Sequence, residues 1–135
     1  MEVRALLDVN IWVDIAVRPG LFPESLAAFK MLTEQRSVGL PLCGYTTLYY
    51  ILSKAMTPAK AREFLIGLES ESVNLVSFTK EDLILAPQLE ITDYEDACVA
   101  ASAIRSGYNL IITRNPKDFR KLPISVSTPK DFVKL

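Results

Sequence analysis

With 135 residues, half of them apolar, and fifteen basic side chains against sixteen acidic ones for a net charge of -1, the chain is long enough to bury a core and too apolar to be disordered. So even a balance gives no bulk electrostatic case for nucleic acid, and the absence of histidine excludes imidazole metal sites, Ser-His-Asp triads and histidine general bases. Cys43 and Cys98 lack the CxxC spacing of a zinc knuckle or a redox pair, which reads as two buried small residues in a reducing cytosol.

Residues 3–7 read as a buried strand, and NIWVDIAV begins a short helix with Asp14 on its solvated face. FPESLAAFKMLTEQRS has a helical pattern, with Leu26, Phe29, Met31 and Leu32 on or near one face and Pro23 suited to the first turn. VGLPLCG is a short strand weakened by Pro41. Two helices follow, YTTLYYILSKAM and TPAKAREFLIGLES, divided where Thr57 can cap and Pro58 can start a turn. VNLVSF is a strand, TKEDLILAPQLEIT a helix interrupted at Pro87, and DYEDACVAASAIRSG a helix with Gly107 at its end. NLIITRN is an apolar strand that ends in polar residues, and ISVST is a last short one. Strands that alternate with helices and are apolar on both faces predict a three-layer α/β fold around a parallel sheet, one domain spanning residues 1–135. No stretch has the apolar length of a bilayer span, and MEVRALLDVN meets a charge too early for a signal peptide, so the expectation is a cytoplasmic protein with no membrane association.

Ligands of open parallel sheets bind beyond the carboxyl ends of the strands. Asp8 closes the first strand, TRNPKDF leaves the last apolar strand with Asn115 and Asp118, and TDYEDA opens a helix on the same side with Asp93 and Asp96. Each acid has a plainer reading. Thr92 precedes Glu95, and Asp93 precedes Asp96, by the three residues of a capping box, and Asp118 can cap a turn. Taken together, oxygen ligands from three remote segments, without imidazole or a thiolate pair, suit a hard cation such as Mg²⁺ or Mn²⁺. The natural chemistry of such a site is attack of water on a phosphodiester.

The segments LLDVNIWVD, YTTLYYILSK and DYEDACVAASAIRSGYNLIITRNPKDF resemble, in order and across essentially the whole chain, those of PIN-domain proteins, especially the VapC-like ribonuclease toxins. That resemblance implies a PIN-like fold, a divalent metal held by acidic residues and endoribonuclease activity. It matches Asp8 to the first acid and Asp96 to the helix-start acid, with Asp93 a neighbouring candidate, and leaves open whether Asn115 or Asp118 faces the metal. It also implies a small antitoxin partner and a homodimer. Where such proteins usually carry a Glu in the helix after the second strand, this chain has Thr47, a hydroxyl without the charge. The site therefore reads as one carboxylate short.

Arg114, Lys117, Arg120 and Lys121 cluster beside the proposed site, where they can meet RNA phosphates or remain solvated, and Asn10 and Thr47 are further candidates for substrate contact. Tyr49 and Tyr50 read as core or interface before they read as base-stacking platforms. The alternative function is a PIN-fold module that binds RNA or protein with little catalysis. A phosphatase or response-regulator reading is weaker, because Asn10 stands where a phosphatase wants a second Asp.

Overall fold

The computed structural model describes residues 2–35, 37–70 and 72–134; Arg36, at the end of the expected second helix, lies outside them. Among those residues the strands are β1 (Ala5–Leu7), β2 (Val38–Pro41), β3 (Val73–Val76), β4 (Leu110–Ile112) and β5 (Ser125–Ser127). The helices are α1 (Val9–Val17), α2 (Pro23–Glu34), α3 (Tyr45–Ala55), α4 (Pro58–Ser70), α5 (Lys80–Leu85), α6 (Tyr94–Arg105) and α7 (Pro129–Val133). All four strand pairings are parallel, in the order β3-β2-β1-β4-β5, so β1 lies at the centre between β2 and β4.

The alternation of side chains along β1 explains the layers. Ala5 and Leu7 enter a core with Val38, Leu40, Leu110 and Ile112, covered by α1 to α4 and α7, while Leu6 enters a second core with Ile111 and the α6 residues Val99, Ala100 and Ala103. The small residues of AASA let α6 lie close on the sheet, and Gly107, at φ 80°, takes the left-handed turn that ends it. Trp12, fully buried, donates its Nε1–H to the Leu7 carbonyl at 2.9 Å and packs edge-on against Phe29, which fixes α1 to the end of β1.

Several expectations are corrected. Asp14 is not on a solvated face but fully buried, because two arginines reach it. Met31 is exposed; of the expected face Leu32 is buried and Phe29 packs against the core, joined by Ser25 and Ala28. Pro41 closes β2 without breaking it, because it comes at the strand's last position, before a 3-10 turn at Leu42–Gly44. The helix expected over 79–92 is capped by Thr79 and interrupted at Pro87 as expected, but it does not resume: α5 ends at Leu85 and only a 3-10 turn at Ala86–Gln88 follows. Cys98 is buried but Cys43 only half so. The helix α7 is an addition to the expected elements; Thr128 caps it and Pro129 starts it. No helix among the described residues is long and apolar enough to cross a membrane.

Candidate metal centre

Asp8 ends β1 and caps α1 at once. Its N–H extends the ladder to the Ile112 carbonyl at 3.0 Å, one carboxylate oxygen accepts the Val9 N–H at 2.8 Å, and the other accepts the Thr113 hydroxyl at 2.9 Å. Strand end and helix cap are therefore one arrangement. Thr113, fully buried just beyond β4, also accepts the Asn115 N–H at 3.2 Å, so a single hydroxyl ties Asp8 to the loop that carries Asn115 and Asp118. Sequence reasoning misses Thr113; its place as the first residue of TRN, at a strand end, is the available signal.

At the amino end of α6, Asp93 is the cap: its carboxylate accepts the Asp96 N–H at 3.0 Å. Asp96 is half-buried in the first turn, within the field of its acidic neighbours. Burial, and then the charges of Asp8, Asp93, Asp118 and Glu95, push its carboxyl up to about 7. Burial also raises Asp8 against the pull of its Thr113 and Val9 hydrogen bonds, with Glu95 and Asp93 adding to the rise. Acids from β1, α6 and the turn after β4 thus share one edge of the sheet, as parallel topology dictates.

Thr47, half-buried in the first turn of α3, faces a carboxylate: its hydroxyl donates to Glu95 Oε2 at 2.8 Å. A Cβ on Gly44 would run into Val9 and stand 3.9 Å from Glu95 Oε1, so the turn before α3, the residue after Asp8 and Glu95 are packed together. In the sequence Glu95 stands out only as a capping partner for Thr92.

An open cleft of about 730 Å³ borders the Asp93 and Asp118 side of this edge of the sheet, lined also by Glu90, Thr92, Lys117 and Arg120. Asn115, Lys117 and Asp118 are exposed around the 3-10 turn Pro116–Asp118, and Asn10 is half-buried in the first turn of α1. The expected basic cluster divides. Lys117 and Arg120 line the cleft, Lys121 pairs with Glu90 at 2.7 Å, and Arg114 turns away to Asp14 and to a depression with Phe22, Ser25 and Thr128.

The donor set fits a hard divalent cation in type and charge: carboxylates and a hydroxyl, no imidazole, and a Cys43 thiol that burial pushes up to about 12 and so keeps protonated. Among the described residues no three carboxylate or thiol side chains are already drawn around one point, so binding would require the acids to close in.

The family model of the PIN domain matches residues 4–117. The chain belongs to the PIN domain family. The PIN match runs from β1 to the turn after β4 and so takes in Asp8, Thr47, Asp93, Asp96 and Asn115. No curated protein sequence matches the chain. Among solved structures it is similar to DNA-bound VapBC from Salmonella typhimurium, at 16% identity and a TM-score of 0.75 over 95% of this chain and 99% of that one. It is also similar to a toxin-antitoxin complex from Klebsiella pneumoniae, at 22% identity and a TM-score of 0.67 over 93% and 97%. A third similar structure is a VapC from Mycobacterium tuberculosis described as a sarcin-ricin loop cleaving toxin, at 12% identity and a TM-score of 0.63 over 79% and 86%. These likenesses show the PIN-like fold, a five-stranded parallel sheet between helical layers.

Proposed function

We propose that this PIN domain, one unit over residues 1–135, is a divalent-metal-dependent endoribonuclease, the toxin of a cytoplasmic toxin-antitoxin pair. The observation that carries the reading is the gathering of Asp8, Asp96 and Asp118 at one sheet edge, where burial first and then the charges of these neighbours raise the Asp96 carboxyl to about 7. Like charges kept this close are stabilised most simply by a bound cation. Asp8, Asp96 and Asp118, with Asp93 at the rim, would hold Mg²⁺ or Mn²⁺. Bound there, such an ion supplies activated water and neutralises charge on the phosphodiester oxygens.

The chain's own residues do the rest. Thr113 and the Val9 N–H orient Asp8, so its carboxylate is set before any ligand arrives. Lys117 and Arg120 hold the RNA backbone at the mouth of the cleft, and Asn10 and Asn115 offer amides on the segments that follow Asp8 and precede Asp118. Substrate class and partner are supported by the similar fold of a toxin that cleaves the sarcin-ricin loop and of a toxin-antitoxin complex. Exposed Tyr50, Ile66, Leu83 and Ile84 give apolar surface to an antitoxin protein and to a homodimer.

The test is cleavage of RNA in Mn²⁺, with Asp8→Asn as the inactive control. Wild-type cleavage that disappears in chelator and in Asp8→Asn is expected. RNA binding without cleavage at any Mn²⁺ concentration would replace the enzyme by a PIN-fold binding module.

A further inference from the structure

Three acids stand at the start of α6, and the structure gives them different employment. Asp93 spends an oxygen on the helix cap, and Asp96 sits in the shared field of Asp8 and Asp118. Glu95 reaches across to α3, where the Thr47 hydroxyl holds Oε2 at 2.8 Å. Its Oε1 lies toward Gly44, whose neighbour in space is Val9, the residue after Asp8. No hydrogen bond is made by Oε1 and no arginine or lysine pairs with Glu95 among the described residues.

Glu95 is thus held as Asp8 is, by a hydroxyl and without a counter-charge among the described residues. Asp14 and Asp82, the acids fully buried within helices, each have an arginine within 3.0 Å. A hydroxyl fixes the direction of a carboxylate and leaves its charge whole. We infer that Glu95 is a ligand of the metal centre, oriented by Thr47, which acts as a positioning residue and not as a ligand. The inference rests on the metal-dependent reading proposed above. It also removes the expectation that the site is one carboxylate short: the carboxylate reaches position 47 from α6.

The experiment is calorimetric titration of Mn²⁺ into the metal-free full chain, with no substrate present. Glu95→Gln keeps an acceptor for the Thr47 hydroxyl and removes the charge; its affinity should fall about 10-fold or more. Thr47→Val keeps the charge and frees the side chain, and should cost about 10-fold as an orienting partner does. Glu81→Gln, exposed on the adjacent α5, removes an equal charge and should stay within about 2-fold if only ligands matter. The double variant Thr47→Glu with Glu95→Thr moves the carboxylate across the same hydrogen bond and should recover most of the Glu95→Gln loss.

Wild-type binding that Asp8→Asn weakens but Glu95→Gln does not would overturn the role of Glu95 and leave the metal site standing. A Glu95→Gln loss matched by Glu81→Gln would reduce Glu95 to background charge and overturn it as well. If circular dichroism shows Glu95→Gln unfolded, Thr47→Val decides, and unchanged affinity there sinks the inference. A wild type that takes up no Mn²⁺ would sink both this inference and the enzymatic reading.

Discussion

Asp8 caps α1 and Asp14 lies within it, and both carboxylates are withdrawn from water, yet their surroundings are of opposite kinds. Around Asp14 stand Arg114 Nε at 3.0 Å, Arg18 Nη2 at 3.4 Å and the Ser25 hydroxyl at 3.3 Å, and both guanidiniums lie over the Phe22 ring. Burial raises the Asp14 carboxyl, and the arginines pull it back. Around Asp8 stand a backbone N–H, a hydroxyl and the fields of Glu95 and Asp93. One acid is neutralised from within the chain and serves the fold. The other is oriented without being neutralised, which costs the fold stability and leaves charge for a ligand.

The same substitution at the two positions should therefore have opposite consequences. Asp8→Asn should lower Mn²⁺ affinity by about 100-fold or more, as loss of a charged ligand does, while the metal-free protein melts no lower than wild type. Its amide still accepts the Val9 N–H, and a repulsive charge is gone. Asp14→Asn should leave Mn²⁺ affinity alone and destabilise the fold by about 2 kcal/mol, less than a fully buried pair because both arginines are partly solvated. Thermal melts with and without Mn²⁺ check both. Equal loss of stability in the two variants would erase the distinction.

Thr113→Val sharpens the comparison at the level of orientation. It removes the hydroxyl from Asp8 and from the Asn115 N–H, so metal affinity should drop about 10-fold and stability by about 1 kcal/mol. No effect on titration with Mn²⁺ would make the Thr113 contact purely structural.

Protonation gives a separate reading of the acidic edge, at Asp96. An unfolded Asp96 loses its proton near 3.8, whereas the folded one keeps it to about 7, so between those values the folded state binds more protons. Stability of the metal-free protein should thus fall as pH rises from about 4 to 7, and Mn²⁺ affinity should rise over that window as the competing proton leaves. Melts in saturating Mn²⁺ should lose that decline. A metal-free stability that climbs with pH would place Asp96 outside the acidic field.

Much of this architecture is legible in the sequence, for identifiable reasons. Strands apolar on both faces announce the parallel sheet, and a parallel sheet puts strand ends and helix starts on one edge, which is why Asp8, Asp96 and Asp118 can be grouped from their places in the chain alone. Contacts between remote positions are not legible. Thr47 and Glu95 meet across 48 residues, and Thr113 and Asp8 across 105, with no local pattern to announce either. Asp14 is misplaced by the helical pattern although half its explanation is local: Arg18, four residues on, marks an ion pair along the helix, but Ser25 and Arg114 come from elsewhere.

The division of the basic residues is the finest form of the comparison. Sequence proximity groups Arg114 with Lys117 as phosphate contacts, but the guanidinium of Arg114 is engaged with Asp14 and Phe22 while Lys117 and Arg120 face the cleft. A cation already paired to a buried acid has less to offer a phosphate, whereas one in solvent at the rim releases counterions when RNA arrives. Lys117→Ala and Arg120→Ala should each lower the logarithmic salt dependence of RNA binding by about 0.7, the value for one single-strand phosphate contact, without moving the melting temperature. Arg114→Ala should do the reverse, costing about 1 kcal/mol of stability by leaving Asp14 with Arg18 alone, and leaving the salt slope as it was. Binding isotherms at several salt concentrations, taken beside thermal melts, read both effects. If Arg114→Ala flattens the slope as much as Lys117→Ala does, the RNA path crosses from the acidic cleft to the Asp14 side, and the two regions form one surface.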